Sequence, residues 1–220
     1  MSFVLSEKLQ TWRARVDYQG AILGVVCAIV TMLLLIGQQQ TYQPIQQRLA
    51  EDRHAVLTQV LPAEYYTNQP LQDVVTITDK NFSEHPVTIY LAKKNDQVSA
   101  TVFQIETEGY GGTITLMIAL NTQGEVLGLR TLSHKETPGL ADKIETDKSD
   151  WITFFNGESL LKTERKLWAV KKDGGKFDQF TGATITPRAV VRGVVNGLEF
   201  YARHADQLKT DNSEVAHNER

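Results

Sequence analysis

Thr113-Ile-Thr-Leu-Met-Ile-Ala-Leu-Asn-Thr-Gln-Gly-Glu-Val-Leu-Gly-Leu-Arg-Thr-Leu132 is the stretch that decides the fold class of this chain. Two runs rich in β-branched and apolar residues, Thr113–Leu120 and Glu125–Leu132, flank the short turn-forming segment Asn121-Thr-Gln-Gly124. A turn that short joins the two strands as an antiparallel hairpin. Working outward, Val87-Thr-Ile-Tyr-Leu91 and Val98-Ser-Ala-Thr-Val-Phe-Gln-Ile105 have the same character, so the region from Leu71 to Leu132 reads as four strands. A further strand is expected from Lys166 through Lys172, closed by Asp173-Gly-Gly175. Trp151-Ile-Thr-Phe-Phe155 reads as the core of a short helix. The fold class is therefore α+β, a mainly antiparallel sheet with flanking helices.

The sheet region is followed by Asp178-Gln-Phe-Thr-Gly-Ala-Thr184-Ile-Thr-Pro187. Thr186 reads as an N-cap and Pro187 as the first helical residue, because a threonine oxygen accepts an orphan amide and proline has no amide to leave unpaired. Val190, Val191, Val194, Val195, Leu198, Tyr201 and Ala202 then recur as one apolar stripe, with Arg188, Arg192, Asn196, Glu199 and Arg203 largely opposite. The free amides and macrodipole of that helix start favour an anionic group near Thr184 by about 0.3–1 kcal/mol at an exposed site. Gly182 lets the backbone approach closely. The bland alternative is an ordinary turn leading into a capped helix.

Asp178-Gln-Phe-Thr-Gly-Ala-Thr184 resembles the flavinylation motif of FMN-binding domains in bacterial respiratory complexes. In that family the last threonine of the motif is esterified to the phosphate of FMN. The resemblance implies that Thr184 carries FMN, and that Asp178, Thr181, Gly182 and Ala183 are read by a flavin transferase that moves FMN from FAD. The longer stretch Phe177–Val191 is most similar to the G subunit of the Rnf electron transport complex, and the likeness runs the length of the chain. The C subunit of the sodium-translocating NADH:quinone reductase is the nearest alternative. The family's Glu-Thr-Pro-Gly-Leu segment lies against the isoalloxazine ring, which implies flavin contacts from Glu136, Thr137, Gly139 and Leu140, with His134 and Lys135 weaker. Family members often continue Pro-Gly-Leu-Gly, where this chain has Ala141. On its residues alone Ser133–Ala141 is equally a chain reversal, and Glu108-Gly-Tyr-Gly-Gly112 is either a close approach to a ligand or a bulge.

The composition is consistent with that resemblance. With 220 residues, 41% hydrophobic and 22% charged, the chain supplies one globular domain and a membrane segment. A net charge of −3 without a basic cluster excludes a nucleic-acid surface. The single cysteine, Cys27, excludes an internal disulfide and a Cys-ligated cluster, and no His pair stands at ligand spacing. No Gly-x-Ser-x-Gly elbow supports hydrolysis.

Gly20–Ile36 is an uncharged apolar run long enough to cross a bilayer, and Gly37-Gln-Gln-Gln40 offers no signal-peptidase site. Lys8, Arg13 and Arg15 precede it, and no basic residue follows until Arg48, which places the N-terminus in the cytoplasm. Ile45, Leu49, Val56, Leu57 and Val60 continue as a helical pattern toward Pro62. The expected organisation is 1–17 cytoplasmic, 18–37 transmembrane helix, 38–70 stalk or docking helix, 71–208 periplasmic FMN-binding domain, and 209–220 a disordered polar tail. The resemblance implies an electron-carrying subunit of an inner-membrane, ion-translocating oxidoreductase coupling ferredoxin and NAD, with partner subunits and a flavin transferase. An anchored binding module without flavin is the reading from a different class.

Overall fold

The computed structural model describes residues 16–209. The basic residues Lys8, Arg13 and Arg15 and the tail 210–220 lie outside the described residues. The chain divides into two compact units at Asp52/Arg53. A helix, α1, runs over Val16–Val60; it takes in residues 18–37 and the first part of the 38–70 segment, of which 61–70 lie beyond its end. Within it Gly20–Gln39 has a mean hydropathy of 2.6 and is exposed throughout. At 1.5 Å per residue those 20 residues reach about 30 Å, the thickness of a bilayer's hydrocarbon core.

The second unit is built on a five-stranded antiparallel meander with spatial order β1-β2-β3-β4-β5. The strands are β1 (Val74–Ile77), β2 (Val87–Lys94), β3 (Gln97–Glu108), β4 (Thr113–Asn121) and β5 (Val126–Ser133). The hairpin expected between the last two forms, with Ile118 opposite Leu129 and Ala119 opposite Gly128. β2 and β3 meet across Asn95-Asp96, which both take positive φ, 54° and 59°. That is the two-residue turn that matches strand twist, and Asn and Asp tolerate it better than most residues. β1 is an edge strand missed by the sequence reading, since its four residues are too few for an alternation to stand out.

Strand alternation sends side chains to two cores. On one face Ile89, Phe103, Ile105, Leu116, Ile118 and Leu129 are fully buried. They pack in one cluster with the stripe of α2 (Ile185–Lys209) and with the aromatic residues Trp151, Phe155, Trp168 and Phe177. Truncating a buried phenylalanine in such a cluster costs about 3–5 kcal/mol. Ala202 departs from the expected stripe and is exposed, while Phe200, which the stripe omitted, is fully buried and stacks on Phe82 at 4.5 Å. On the other face Ala92, Ala100, Val102, Met117 and Ala119 receive Leu57, Val60 and Leu61 from the end of α1. Small residues are required there: a Cβ on Gly128 would lie 2.3 Å from the Val60 carbonyl oxygen.

The strand expected over Lys166–Lys172 does not form. Arg165–Leu167 and Lys171–Asp173 are single turns of 3-10 helix, and only an isolated bridge, Val170 to Phe177, has strand character. At the start of the outer edge of β5, Val126 donates to Glu158 O at 2.9 Å and accepts from Gly157 N–H at 2.7 Å, so another segment pairs there. Trp151–Phe155 lies within a 3-10 helix, Asp150–Phe155, capped by the Ser149 side chain.

Asp79 pins the loop after β1 to the end of α2. Its carboxylate, 8% exposed, accepts from Arg203 Nε (3.0 Å) and Nη2 (2.7 Å) and from the Asn81 amide (2.9 Å), and it lies 3.1 Å from His204 Nε2. The hydrogen-bonded Arg203 guanidinium, more than any other group, lowers its pKa to about 2 from the usual 3.8. A carboxyl with a depressed folded-state pKa contributes stability that is present above its unfolded value and is lost as pH falls through the folded one. Urea midpoints are therefore expected to drop between about pH 4 and pH 2, and Asp79→Asn should be weaker at neutral pH with a shallower drop across that window. Parallel pH profiles for the two proteins would contradict this role.

Candidate functional site

Two tight turns carry the candidate residues. In Phe180-Thr181-Gly182-Ala183, the Ala183 amide donates to Phe180 O at 3.1 Å and Gly182 has φ of 82°. This is a type II turn, whose third residue needs the positive φ that glycine takes without strain. The turn delivers Thr184 to the mouth of α2, one residue before Ile185. In Thr137-Pro138-Gly139-Leu140, the Leu140 amide donates to Thr137 O at 3.2 Å and Gly139 has φ of 76°. Proline second and glycine third is the residue pattern that such a turn favours. The turns meet, for Leu140 Cδ2 lies 3.8 Å from where a Cβ on Gly182 would stand.

Glu136 holds that arrangement from inside. It is 4% exposed, one carboxylate oxygen accepts the Gly111 amide at 2.8 Å, and the other accepts the Thr186 hydroxyl. One side chain thus ties together the β3–β4 loop, the Thr-Pro-Gly loop and the first turn of α2. The Glu136 amide donates to His134 Nδ1 at 3.0 Å, and His134 Nε2 lies 2.6 Å from Glu145 Oε1. With Nδ1 accepting, the proton of the neutral ring is assigned to Nε2 and donated to Glu145. The glycine loop at 109–112 makes its close approach here: a Cβ on Gly111 would lie 1.9 Å from the Lys135 carbonyl oxygen.

The motif is fixed at its other end by aromatic packing. Trp151 Nε1 donates to Asp178 O at 2.8 Å, and the Trp151 ring meets Phe180 edge-on at 5.0 Å. The Asp178 side chain points outward to Lys171 at 2.7 Å. Arg188, one helical turn after Thr184, takes Asp173 through Nε (2.6 Å) and Nη2 (2.7 Å), while its Nη1 lies 3.4 Å from Thr184 Oγ1. The Arg188 hydrogen bond holds Asp173 below the usual carboxylate range, and Asp173 in turn raises Arg188.

The structure thus brings Thr181, Gly182, Ala183 and Thr184 together with Thr137, Gly139 and Leu140. It turns Glu136 and His134 inward, as supports of the loop. Thr186 corrects the sequence reading: it lies inside α2, buried, with its hydroxyl given to Glu136 rather than capping the helix. Thr184 is half-buried, and Leu140 (47%) and Ile185 (48%) leave apolar surface exposed on either side of the motif turn. The Glu136–Thr186 bond and the Asp173–Arg188 pair escaped the sequence reading. The first joins residues 50 apart, with no local signal.

The FMN-binding domain family model matches residues 109–199, a span that encloses both turns and Glu136. The G subunit of the ion-translocating oxidoreductase complex from Stutzerimonas stutzeri is 54% identical over 197 residues, covering 90% of this chain and 86% of its own length. The protein of the same name from Cereibacter sphaeroides is 43% identical over 197 residues, covering 90% and 89%. A crystal structure of the C subunit of the Na(+)-translocating NADH-quinone reductase from Parabacteroides distasonis superposes with a TM-score of 0.50 over 73% of this chain and 95% of that one, at 18% identity. At that identity the likeness is one of fold.

Proposed function

Because this chain belongs to the family of ion-translocating oxidoreductase complex G subunits, with an FMN-binding domain, we propose that it is the electron-carrying subunit of such a complex and holds FMN covalently through Thr184. The observation that carries the reading is the position of Thr184, a half-buried residue set at the mouth of a 25-residue helix by a glycine turn. An anion attached there gains the free amides and positive dipole end of α2, so the residues present fit a flavin phosphate.

Attachment joins Thr184 Oγ1 to the phosphorus of the FMN half of FAD. The pyrophosphate bond breaks, AMP leaves, and the hydroxyl proton passes to the flavin transferase. Once bound, FMN supplies electron transfer in steps of one or two. The chain supplies fixation and orientation. Thr181, Gly182 and Ala183 shape the turn that presents the ester. Thr137, Gly139 and Leu140 offer a surface for the ring beside it, and Glu136 and His134 keep that surface in register. A covalent link prevents loss of the cofactor on the far side of the membrane.

The further reading is a relay between ferredoxin and NAD within an inner-membrane complex that moves protons or sodium ions, assembled with other redox subunits. Residues 18–37 span the membrane, 1–17 stay in the cytoplasm, 38–70 form the stalk, and 71–208 form the periplasmic flavin domain. The charge bias of Lys8, Arg13 and Arg15 supports that orientation. Identities of 54% and 43% to G subunits, against 18% to a C-type relative, favour the former. Denaturing gels of protein co-expressed with a flavin transferase test the proposal. A fluorescent band at the mass of this chain is expected, and a dark band beside a fluorescent control substrate would return the motif to a plain helix start.

A further inference from the structure

We propose that Arg188 and Asp173 form a ready-made clamp for the phosphodiester at Thr184, in which Asp173 orients the guanidinium and Arg188 Nη1 donates to a non-bridging phosphate oxygen. The proposal rests on the reading of Thr184 as the attachment residue. A guanidinium presents five N–H donors in a rigid plane. Asp173 occupies one edge of that plane, through Nε at 2.6 Å and Nη2 at 2.7 Å. The remaining end, Nη1, faces Thr184 Oγ1 at 3.4 Å. That separation exceeds the usual N–H···O range of about 2.7–3.2 Å, so the hydroxyl leaves Nη1 weakly used. Esterification places phosphorus on this oxygen and the non-bridging oxygens one bond further out, where a short charge-assisted bond to Nη1 can form.

Asp173 is suited to the orienting role because its own loop is tightly tied. Its amide donates to Val170 O at 2.8 Å, and Gly175 and Lys176 donate to Val170 O and Leu167 O at 3.0 Å each. Arg188 and Asp173 are each 40% exposed at the side chain, so the pair lies at the surface and is open to a phosphate carried by Thr184. The neighbouring Lys171 is engaged with Asp178 at 2.7 Å. A lysine at position 188 has three donors on one nitrogen and can touch both anions, but it lacks the flat edge that holds both oxygens of Asp173 and fixes the direction of the donor left for phosphate.

Phosphorus NMR on full-length, flavin-loaded protein tests the clamp. The phosphodiester resonance of the wild type is expected to lie away from that of the flavinyl peptide released from it by proteolysis. In loaded Arg188→Gln it should move most of the way to the peptide position, with Arg188→Lys and Asp173→Asn between. The rise in Tm on flavin loading should shrink in the same order. If Arg188→Gln escapes loading, Asp173→Asn carries the test, because it keeps the guanidinium and removes its orientation. Resonances that coincide in wild type and Asp173→Asn, or in intact protein and released peptide, would overturn the clamp. A wild-type protein with no flavin on Thr184 would instead remove the reading on which the clamp rests.

Discussion

Thr184→Val is expected to abolish covalently bound flavin while leaving the domain folded. Valine keeps the β-branched shape, so the half-buried side chain retains its packing and χ1 restriction. The hydroxyl's described contact is the long one from Arg188 Nη1, whose guanidinium remains paired with Asp173 in the variant. Loss of a side-chain oxygen immediately before the helix costs about 1 kcal/mol or less. Loading should therefore fall from full to none, with a change in urea midpoint small enough to exclude unfolding as the cause. Thr181 stands three residues away on the exposed turn, and Thr186 is buried against Glu136. Flavin that survives denaturation in Thr184→Val would move the attachment to another residue.

Glu136→Ala is expected to be among the most damaging single changes outside the aromatic core. Removing the carboxylate strands two donors, the Gly111 amide and the Thr186 hydroxyl, in a site that is 4% exposed. Each stranded donor costs about 1–3 kcal/mol, so a loss of about 2–6 kcal/mol in unfolding free energy is predicted. The effect should be local as well as global, with faster hydrogen exchange at Gly111 and poorer flavin loading, because the loop beside Thr184 loses its tie to α2. Glu136→Gln separates charge from connectivity. Its oxygen can still accept from Gly111, and its amide can donate to a rotated Thr186 hydroxyl, so a loss under about 1.5 kcal/mol is expected. A Glu136→Ala protein within about 0.5 kcal/mol of wild type would show that the buried carboxylate does not hold the site together.

The parts of this fold written in local pattern were legible in the sequence. Thr113–Leu132 alternates and turns where it should, and Val190 to Leu198 recur at helical spacing, because burial on one face imposes those periods directly. The Thr-Gly-Ala-Thr and Thr-Pro-Gly segments were legible as turns for the same reason, since φ values of 82° at Gly182 and 76° at Gly139 fit glycine best. What depends on distant partners was not legible. Lys166–Lys172 carries a strand-like composition, yet its backbone partners are local ones, with Lys171 N–H given to Phe177 O and Ala169 O taken by Phe177 N–H. Trp168 instead sits among Phe155 and Phe177, donating its indole N–H to Thr163 O. Thr186 has the residue type and the following proline of a helix cap, and by local pattern it reads as one. Its hydroxyl goes to Glu136 because a buried carboxylate must find donors, and nothing near Thr186 in sequence announces one. Glu136 was singled out as a flavin contact through the family resemblance alone, and nothing near it in sequence announces that its side chain is buried between Gly111 and Thr186.

Peptide mapping by mass spectrometry of the full-length chain, purified under denaturing conditions from cells that express a flavin transferase, tests the central claim most directly. The peptide containing Thr184 is predicted to carry the added mass of one FMN less one water, with fragmentation placing it on the Thr184 oxygen. An unmodified Thr184 peptide, recovered while the transferase loads a control protein in the same cells, would contradict the assignment of this chain as a covalent flavin carrier.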